Sequence, residues 1–372
     1  MDPMSAPVVE YRRALHQIPE LDDQLPETLN FVRSRLEVLP LTLSSPIPGS
    51  LCAYLDAGQP ETVAFRADLD ALPVLEQTGL PFASRHAGSM HACGHDGHTA
   101  IALALAEYAA ARREHLPRNV LFVFQPAEET TGGAQRICQS GIFSRYRVVR
   151  IFGLHLWPGL PEGSVWCRPG PQMARSSEIS FYAQGRSVHI SRYPEGRDAL
   201  LAGAEFLRRA YTMAEEELEP EVPRVLRFGK MTSGTVRNAI SGQTELLGSL
   251  RSFSDDSFNY MTRRLREIAD QVAHTSGCQV RLQISEGYPP VCNHAGLYDA
   301  LCTALGSDAP RLLEEPALAA EDFSFYQQTL PGVFFFLGVG NSDPLHAPTF
   351  RFDDERVLPC GVEFMKKLLL LP

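Results

Sequence analysis

The stretch Met90–Thr99, MHACGHDGHT, constrains this chain more than any other. It holds three histidines (His91, His95, His98), Cys93 and Asp96, interrupted by Gly94 and Gly97. Glycines among potential ligands imply a tight, irregular backbone that brings those side chains close together. TAIALALAEYAAARR follows directly and reads as an Ala- and Leu-rich helix. The cluster is therefore expected in a loop at a helix N-terminus, at the rim of a sheet. Neutral imidazole and thiolate suit zinc and its transition-series neighbours. A histidine-rich turn of no consequence is the plain alternative, and the remaining sequence argues against it.

A chain of 372 residues exceeds one ordinary core, so two domains are expected. Its net charge of −10, with no long basic stretch, argues against nucleic acid or an anionic membrane as partner. No apolar run approaches the ~20 residues of a membrane span, and the first residues lack a signal pattern. The eight cysteines are scattered singly (Cys52, Cys93, Cys138, Cys167, Cys278, Cys292, Cys302, Cys360), as expected of reduced thiols in a cytoplasmic protein.

Residues 5–40 read as helical, with Leu29, Val32, Leu36 and Leu39 close to one face. LCAYLDAG (51–58) and TVAFRA (62–67) read as strands, the second ending at Asp68 and Asp70. NVLFVFQ (119–125) is a continuous apolar run of the kind buried on both faces, and it ends in PAEE. VVRIFGL (148–154) ends in His155, and GVFFFLGVG (332–340) is followed after a short loop by His346. Several strands thus deliver a ligand-capable side chain just past their carboxyl ends, where open α/β sheets form their sites. Between 176 and 290 the texture changes to β-α-β-β-α-β, a small α+β unit inserted into a larger α/β domain. Its second helix opens at a Ser-Asp N-cap. Residues 1–175 and 291–372 would form the catalytic domain, and 176–290 the insert.

Cysteine, histidines and extra carboxylates exceed what one closed zinc site needs and suit two divalent ions sharing a bridging group. Such a pair polarises an acyl or phosphoryl oxygen and acidifies a water. In the tandem Glu128-Glu129 the side chains diverge, so one can bind metal while the other takes a proton. No HExxH, GxSxG, phosphate-binding loop or GxGxxG accompanies them.

RADLDALP, MHACGHDGHTA, FQPAEETTGGA, GLHLWPGLPEG, AEDFSFY and LHAPTFRFDD, in that order, resemble the amidohydrolase branch of the aminoacylase/carboxypeptidase metallohydrolases. The resemblance spans nearly the whole chain. It implies a dinuclear centre, with zinc or manganese and also cobalt or nickel as candidate metals, that hydrolyses the amide of an N-acyl amino acid. It makes Cys93, His95, Glu129, His155 and His346 ligands, Glu128 the general base, and Asp70 the aspartate that orients a ligand histidine. Asp68 stands where other branches carry a metal-binding histidine. The insert resembles a lid that dimerises, with His189 stabilising the oxyanion across the interface, and Asn238 and Arg251 binding substrate. Val188 and Ile190 replace the usual small neighbours of that histidine, and Ser241 replaces a proline. A dipeptidase or carboxypeptidase with the same centre is the near alternative, and a non-catalytic metal-binding or sensing protein the distant one.

Overall fold

A computed structural model describes residues 5–372. The chain forms two compact units. One runs to Gly170 and takes in Cys292–Glu315 and Asp322–Pro372; the other comprises Pro171–Val291 and Pro316–Glu321. Residues 171–175, 291 and 316–321, which the sequence reading leaves in the flanking domain, lie in the second unit.

The first unit is built on eight strands, numbered along the chain: β1 (Thr42–Ser44), β2 (Leu51–Leu55), β3 (Thr62–Asp68), β4 (Asn119–Gln125), β5 (Val148–Trp157), β6 (Val165–Cys167), β13 (Arg311–Leu312) and β14 (Gly332–Gly338). Their spatial order is β1-β2-β4-β3-β5-β14-β6-β13. The central β4, β3, β5 and β14 are parallel, while β1 and β2 pair antiparallel at one edge. Every residue of β3, β4 and β14 is buried, which is why these runs carry no apolar–polar alternation.

Helix α1 (Ser5–His16) packs with α3 (His95–Ala111) and α10 (Asp354–Leu369), and α2 (Pro26–Leu36) leans on α3. Helix α3 is buried from His95 through Ala106, because its alanines let neighbouring backbones come close. Four further helices, α4 (Gly133–Gln139), α5 (Ile142–Arg145), α8 (Ala295–Leu305) and α9 (Ser324–Thr329), complete the unit. The helical reading of 5–40 is corrected to two helices. Pro19 and Pro26 bracket the break, Asp22 takes a φ of 56°, and Leu39 lies beyond the end of α2.

Short strands β7 (Gly170–Met173) and β12 (Val291–Asn293) lie where the chain passes between units. The second unit places β8 (Arg175–Gln184), β9 (Arg224–Ser233), β10 (Gln243–Ser252) and β11 (Gln279–Ile284) in the antiparallel order β11-β8-β10-β9. Helices α6 (Ala199–Glu216) and α7 (Asp255–Ser276) cover it. Asp198 caps α6 through the amides of Leu200 and Leu201, Ser254 caps α7 through Ser257, and Gly277 ends α7 left-handed. Its core is separate from that of the first unit and centres on Phe181 stacked on Phe206 at 4.1 Å. Among the described residues no helix is long and apolar enough to cross a membrane.

The two tryptophans, Trp157 and Trp166, both lie in the first unit. Phe206→Ala is expected to destabilise the second unit by about 3–5 kcal/mol. In a urea titration, far-ultraviolet dichroism should then show an earlier transition while the tryptophan fluorescence midpoint holds.

Candidate metal centre

The carboxyl ends of the parallel strands supply the site. Strand β3 ends at Asp68; Leu69 then donates to the Gln125 carbonyl at 2.8 Å, which brings Asp70 beside the chain leaving β4. That chain turns through Ala127, held at a φ of 57°, into Glu128 and Glu129. The Asp70 carboxylate accepts from both of their amides, Oδ1 from Glu128 and Oδ2 from Glu129, each at 3.0 Å. Gly133 closes the loop so tightly that a Cβ there would stand 2.0 Å from the Pro126 carbonyl oxygen. Gly94, at a φ of 86°, starts α3 with His95 as its first residue.

One placement corrects the sequence reading, and a second adds to it, because Asp70 does hold His95, through its main-chain oxygen. His155 lies within β5 rather than past its end, because the ladder with β14 continues to Trp157. His95 Nδ1 donates to the main-chain oxygen of Asp70 at 2.8 Å; the Asp70 carboxylate, 3.7 Å from that nitrogen, instead holds the turn bearing the tandem glutamates. Asp70 is a positioning residue.

Two sets of donor atoms converge, each within 4.8 Å: Cys93, His95 and His155, and Cys93, Glu129 and His346. Cys93 belongs to both. Its Sγ lies 3.4 Å from His155 Nε2, and His346 Nε2 lies 3.3 Å from Glu129 Oε1. Glu128 joins His95 and Glu129 in a third such set. His346 is half-exposed and takes a φ of 69°, its amide donating to the Ala92 carbonyl at 2.9 Å.

The sequence reading put the whole cluster in a loop, but α3 starts at His95 and takes in Asp96 and His98; the neighbouring polar residues make other bonds. His98 donates from Nδ1 to Asp68 Oδ1 at 2.6 Å and accepts the Leu156 amide at Nε2, so both ring nitrogens are engaged. Asp68 divides its carboxylate between His98 and Arg66 Nη1, the latter at 2.6 Å. It is a structural anchor for the first turn of α3. His91 is buried with neither ring nitrogen hydrogen-bonded among the described residues, and burial pushes it down to about 3.

The donor set fits divalent ions. His95 and His155 use Nδ1 on main-chain oxygens, His155 on that of Leu156 at 2.7 Å, and so present Nε2. His95 Nε2 is buried without a hydrogen-bond partner among the described residues. Thiolate, imidazole and carboxylate together are ligands of borderline-soft metals. The field agrees. Burial alone would lower His95, yet Asp68, Asp70 and Glu129 raise it to about 10. Burial, with Glu129 and Glu128 close by, drives the Cys93 thiol well above its ordinary value. Excess negative charge draws protons onto these groups, and a cation would relieve it.

Sequence reasoning missed the charged group beneath this cluster. Arg66 donates to Asp68, to Asp322 Oδ1 at 2.9 Å and to Gln125 Oε1 at 2.8 Å. Gln125 and the Ala134 amide in turn donate to Asp322. A signal existed: an arginine in a strand buried on both faces needs carboxylates there.

In the second unit, His189 is exposed, its Nδ1 2.8 Å from Ser191 Oγ. Residues 188–190 pair with 238–240: the Ile190 amide donates to Asn238 and the Ile240 amide to Val188. Ser241 Oγ lies 2.8 Å from Ser233 Oγ and donates to the Gln243 carbonyl, bracing the turn. Arg251 lies at the other end of the sheet, opposite Ser176 of β8, whereas Gln243 pairs with Gln184. Eight residues of strand separate the ends by about 26 Å. His189 and Asn238 come together; Arg251 does not join them.

Arg66→Met is expected to cost about 3–5 kcal/mol, because Asp68 and Asp322 would keep buried charge without their cation. Urea unfolding followed by tryptophan fluorescence measures it, and a loss below 1 kcal/mol would contradict the reading.

Residues 64–371 match the profile described as Peptidase family M20/M25/M40. An N-acetyldiaminopimelate deacetylase of Lacticaseibacillus casei (strain BL23) is 35% identical over 366 residues, 95% of either chain. The YXEP protein of Bacillus subtilis, described as a dinuclear metal-binding peptidase of the M20 family, superposes with a TM-score of 0.86 at 29% identity, over 100% of this chain and 98% of its own. The aminobenzoyl-glutamate utilization protein of Klebsiella pneumoniae, at 21% identity and a TM-score of 0.65 over 98% and 95% of the two chains, shares the fold. Given this length of match and the donor sets at the strand ends, the chain belongs to peptidase family M20/M25/M40.

Proposed function

We propose that the chain hydrolyses the amide bond of N-acyl amino acids, N-acetyl compounds among them, at a centre formed by Cys93, His95, Glu129, His155 and His346. The observation that carries this reading is one thiol shared by two donor triads, with a further carboxylate, Glu128, beside them. The deacetylase relative supports an N-acetyl amino acid as substrate, and the dinuclear relative supports two ions. The thiol–imidazole–carboxylate set favours zinc or manganese, with cobalt or nickel able to serve.

Two divalent ions held there would polarise the acyl oxygen and acidify a water. Glu128 takes the proton of the attacking water on its carboxylate and passes it to the leaving nitrogen. Asp70 keeps Glu128 and Glu129 apart by gripping both amides, so that proton transfer and ligation fall to separate side chains. Arg251 suits a bidentate contact with the substrate carboxylate, and His189 with Asn238 suits the developing oxyanion. Arg251 lies at one end of strand β10 and the turn following Asn238 at the other, about 26 Å of strand apart, which argues that these groups do not serve one substrate from a single copy. We therefore favour a homodimer in which the exposed His189 loop serves a second copy. Strand β9, at the edge of its sheet with Met231 exposed, supports pairing between copies. The eight free cysteines support a cytoplasmic setting.

Release of free amino acid from N-acetyl, N-benzoyl and dipeptide substrates tests the reading. Turnover should vanish with a chelator and return with Zn²⁺ or Mn²⁺. Glu128→Gln should lower kcat by about 10²–10⁴-fold while metal content, measured by atomic emission, stays that of the parent. Full activity of Glu128→Gln would remove the general base from this account, and preferential dipeptide cleavage would replace the deacylase with a dipeptidase.

A further inference from the structure

A second buried cluster of charge lies on the α1 side of the metal loop. Asp96, the residue after His95, is buried; its Oδ2 pairs in charge with Arg12, whose Nε lies 2.9 Å away, and accepts from His16 Nδ1 at 2.7 Å. Its Oδ1 accepts the Gly97 amide at 3.0 Å. The other ring nitrogen of His16, Nε2, lies 3.2 Å from Glu76 Oε1. Glu76 also accepts from the Thr78 hydroxyl and from the Ser84 amide. Arg12 lies between the rings of Phe82 and Phe352, at 4.9 and 4.7 Å, and reaches Asp354 at the start of α10, which Arg13 also holds.

Three cations (Arg12, Arg13, His16) thus face three carboxylates (Glu76, Asp96, Asp354). Burial would strip the proton from His16, but Asp96 and Glu76 hold its value above the ordinary one. A carboxylate at each ring nitrogen, Asp96 and Glu76, suits an imidazolium that donates twice. The bonds of His16 to Asp96 and Glu76, and of Arg12 Nη1 to Asp354, make this buried network stiff. It ties α1, residues 76–84 and the start of α10 to Asp96 in the first turn of α3.

That residue leaves no slack. Asp96 adjoins His95 and stands two positions after the left-handed Gly94. A rotation of the first turn of α3 would swing His95 Nε2 away from the atoms it meets, and ligand sets tolerate displacements of only about 0.5 Å. We propose that Arg12, His16 and Glu76 are positioning residues for the metal centre, acting through Asp96 to fix the first turn of α3 and with it His95 and Cys93. This rests on the ligand set proposed above.

The test is a Co²⁺ titration of the metal-stripped full-length protein, followed by the cobalt–thiolate and d–d absorption bands, with no activity readout. It compares the parent with His16→Gln, Glu76→Gln and a remote core variant, Leu301→Ala. His16→Gln and Glu76→Gln, folded by circular dichroism, should bind Co²⁺ about tenfold more weakly with altered bands. Leu301→Ala should lower the Tm and leave affinity and bands unchanged. Should His16→Gln fail to fold, Glu76→Gln decides. Parent-like affinity and bands in the folded variants, or an equal loss in Leu301→Ala, would overturn the positioning role. A parent that binds no Co²⁺ would instead overturn the ligand set itself.

Discussion

Gathering negative charge in a dry place is the constraint on which the rest of this structure depends. Asp68, Asp70, Asp322 and Glu128 are buried at or near the carboxyl ends of the parallel strands, with Glu129 close to buried beside them. Each such carboxylate costs several kcal/mol unless a partner offsets it. The chain supplies a different partner to each: Arg66 and His98 to Asp68, two main-chain amides to Asp70, and Arg66, Gln125 and the Ala134 amide to Asp322. Around Cys93 and His95 the protein's own cations do not suffice, so protons fill in, and affinity for divalent cations follows from the same deficit.

Backbone irregularity aims the side chains at that deficit. Among the described residues only four other than glycine have positive φ, and two of them, Ala127 and His346, carry the site. Each left-handed residue of this kind costs about 1–2 kcal/mol. A main-chain bond holds each in place: the Ala127 amide on the Asp22 carbonyl, the His346 amide on that of Ala92. Gly94 meets the same need at the head of α3 without a Cβ to oppose it. Strain of this sort persists where the surroundings hold it, and here the main-chain bonds to Asp22 and Ala92 do so.

The second unit obeys a plainer rule. Two amphipathic helices cover one face of a four-stranded antiparallel sheet, and the candidate substrate groups sit at its two ends rather than on its face. Ten residues of strand separate the two ends, so the groups at one end do not touch those at the other.

The sequence by itself determined the elements and the chemistry. Continuous apolar runs fixed β3, β4 and β14, and the order of strands and helices fixed the inserted β-α-β-β-α-β unit. The residue types near the strand ends gathered histidines 95, 155 and 346 with carboxylates 68, 70, 128 and 129, and the family resemblance singled out Cys93, His95, Glu129, His155 and His346 as the expected ligands. Distances across the fold were beyond it. Only tertiary structure decided that Cys93 faces both triads, that His98 is held by Asp68 and Leu156, and that Asp70 grips the glutamate turn. Only tertiary structure set Arg66 beneath the site and Arg12 and His16 beside it, for a buried charge is fixed by partners far away in sequence. Periodicity and spacing record local preference along a chain, and the balance of buried charge is a property of the packed whole.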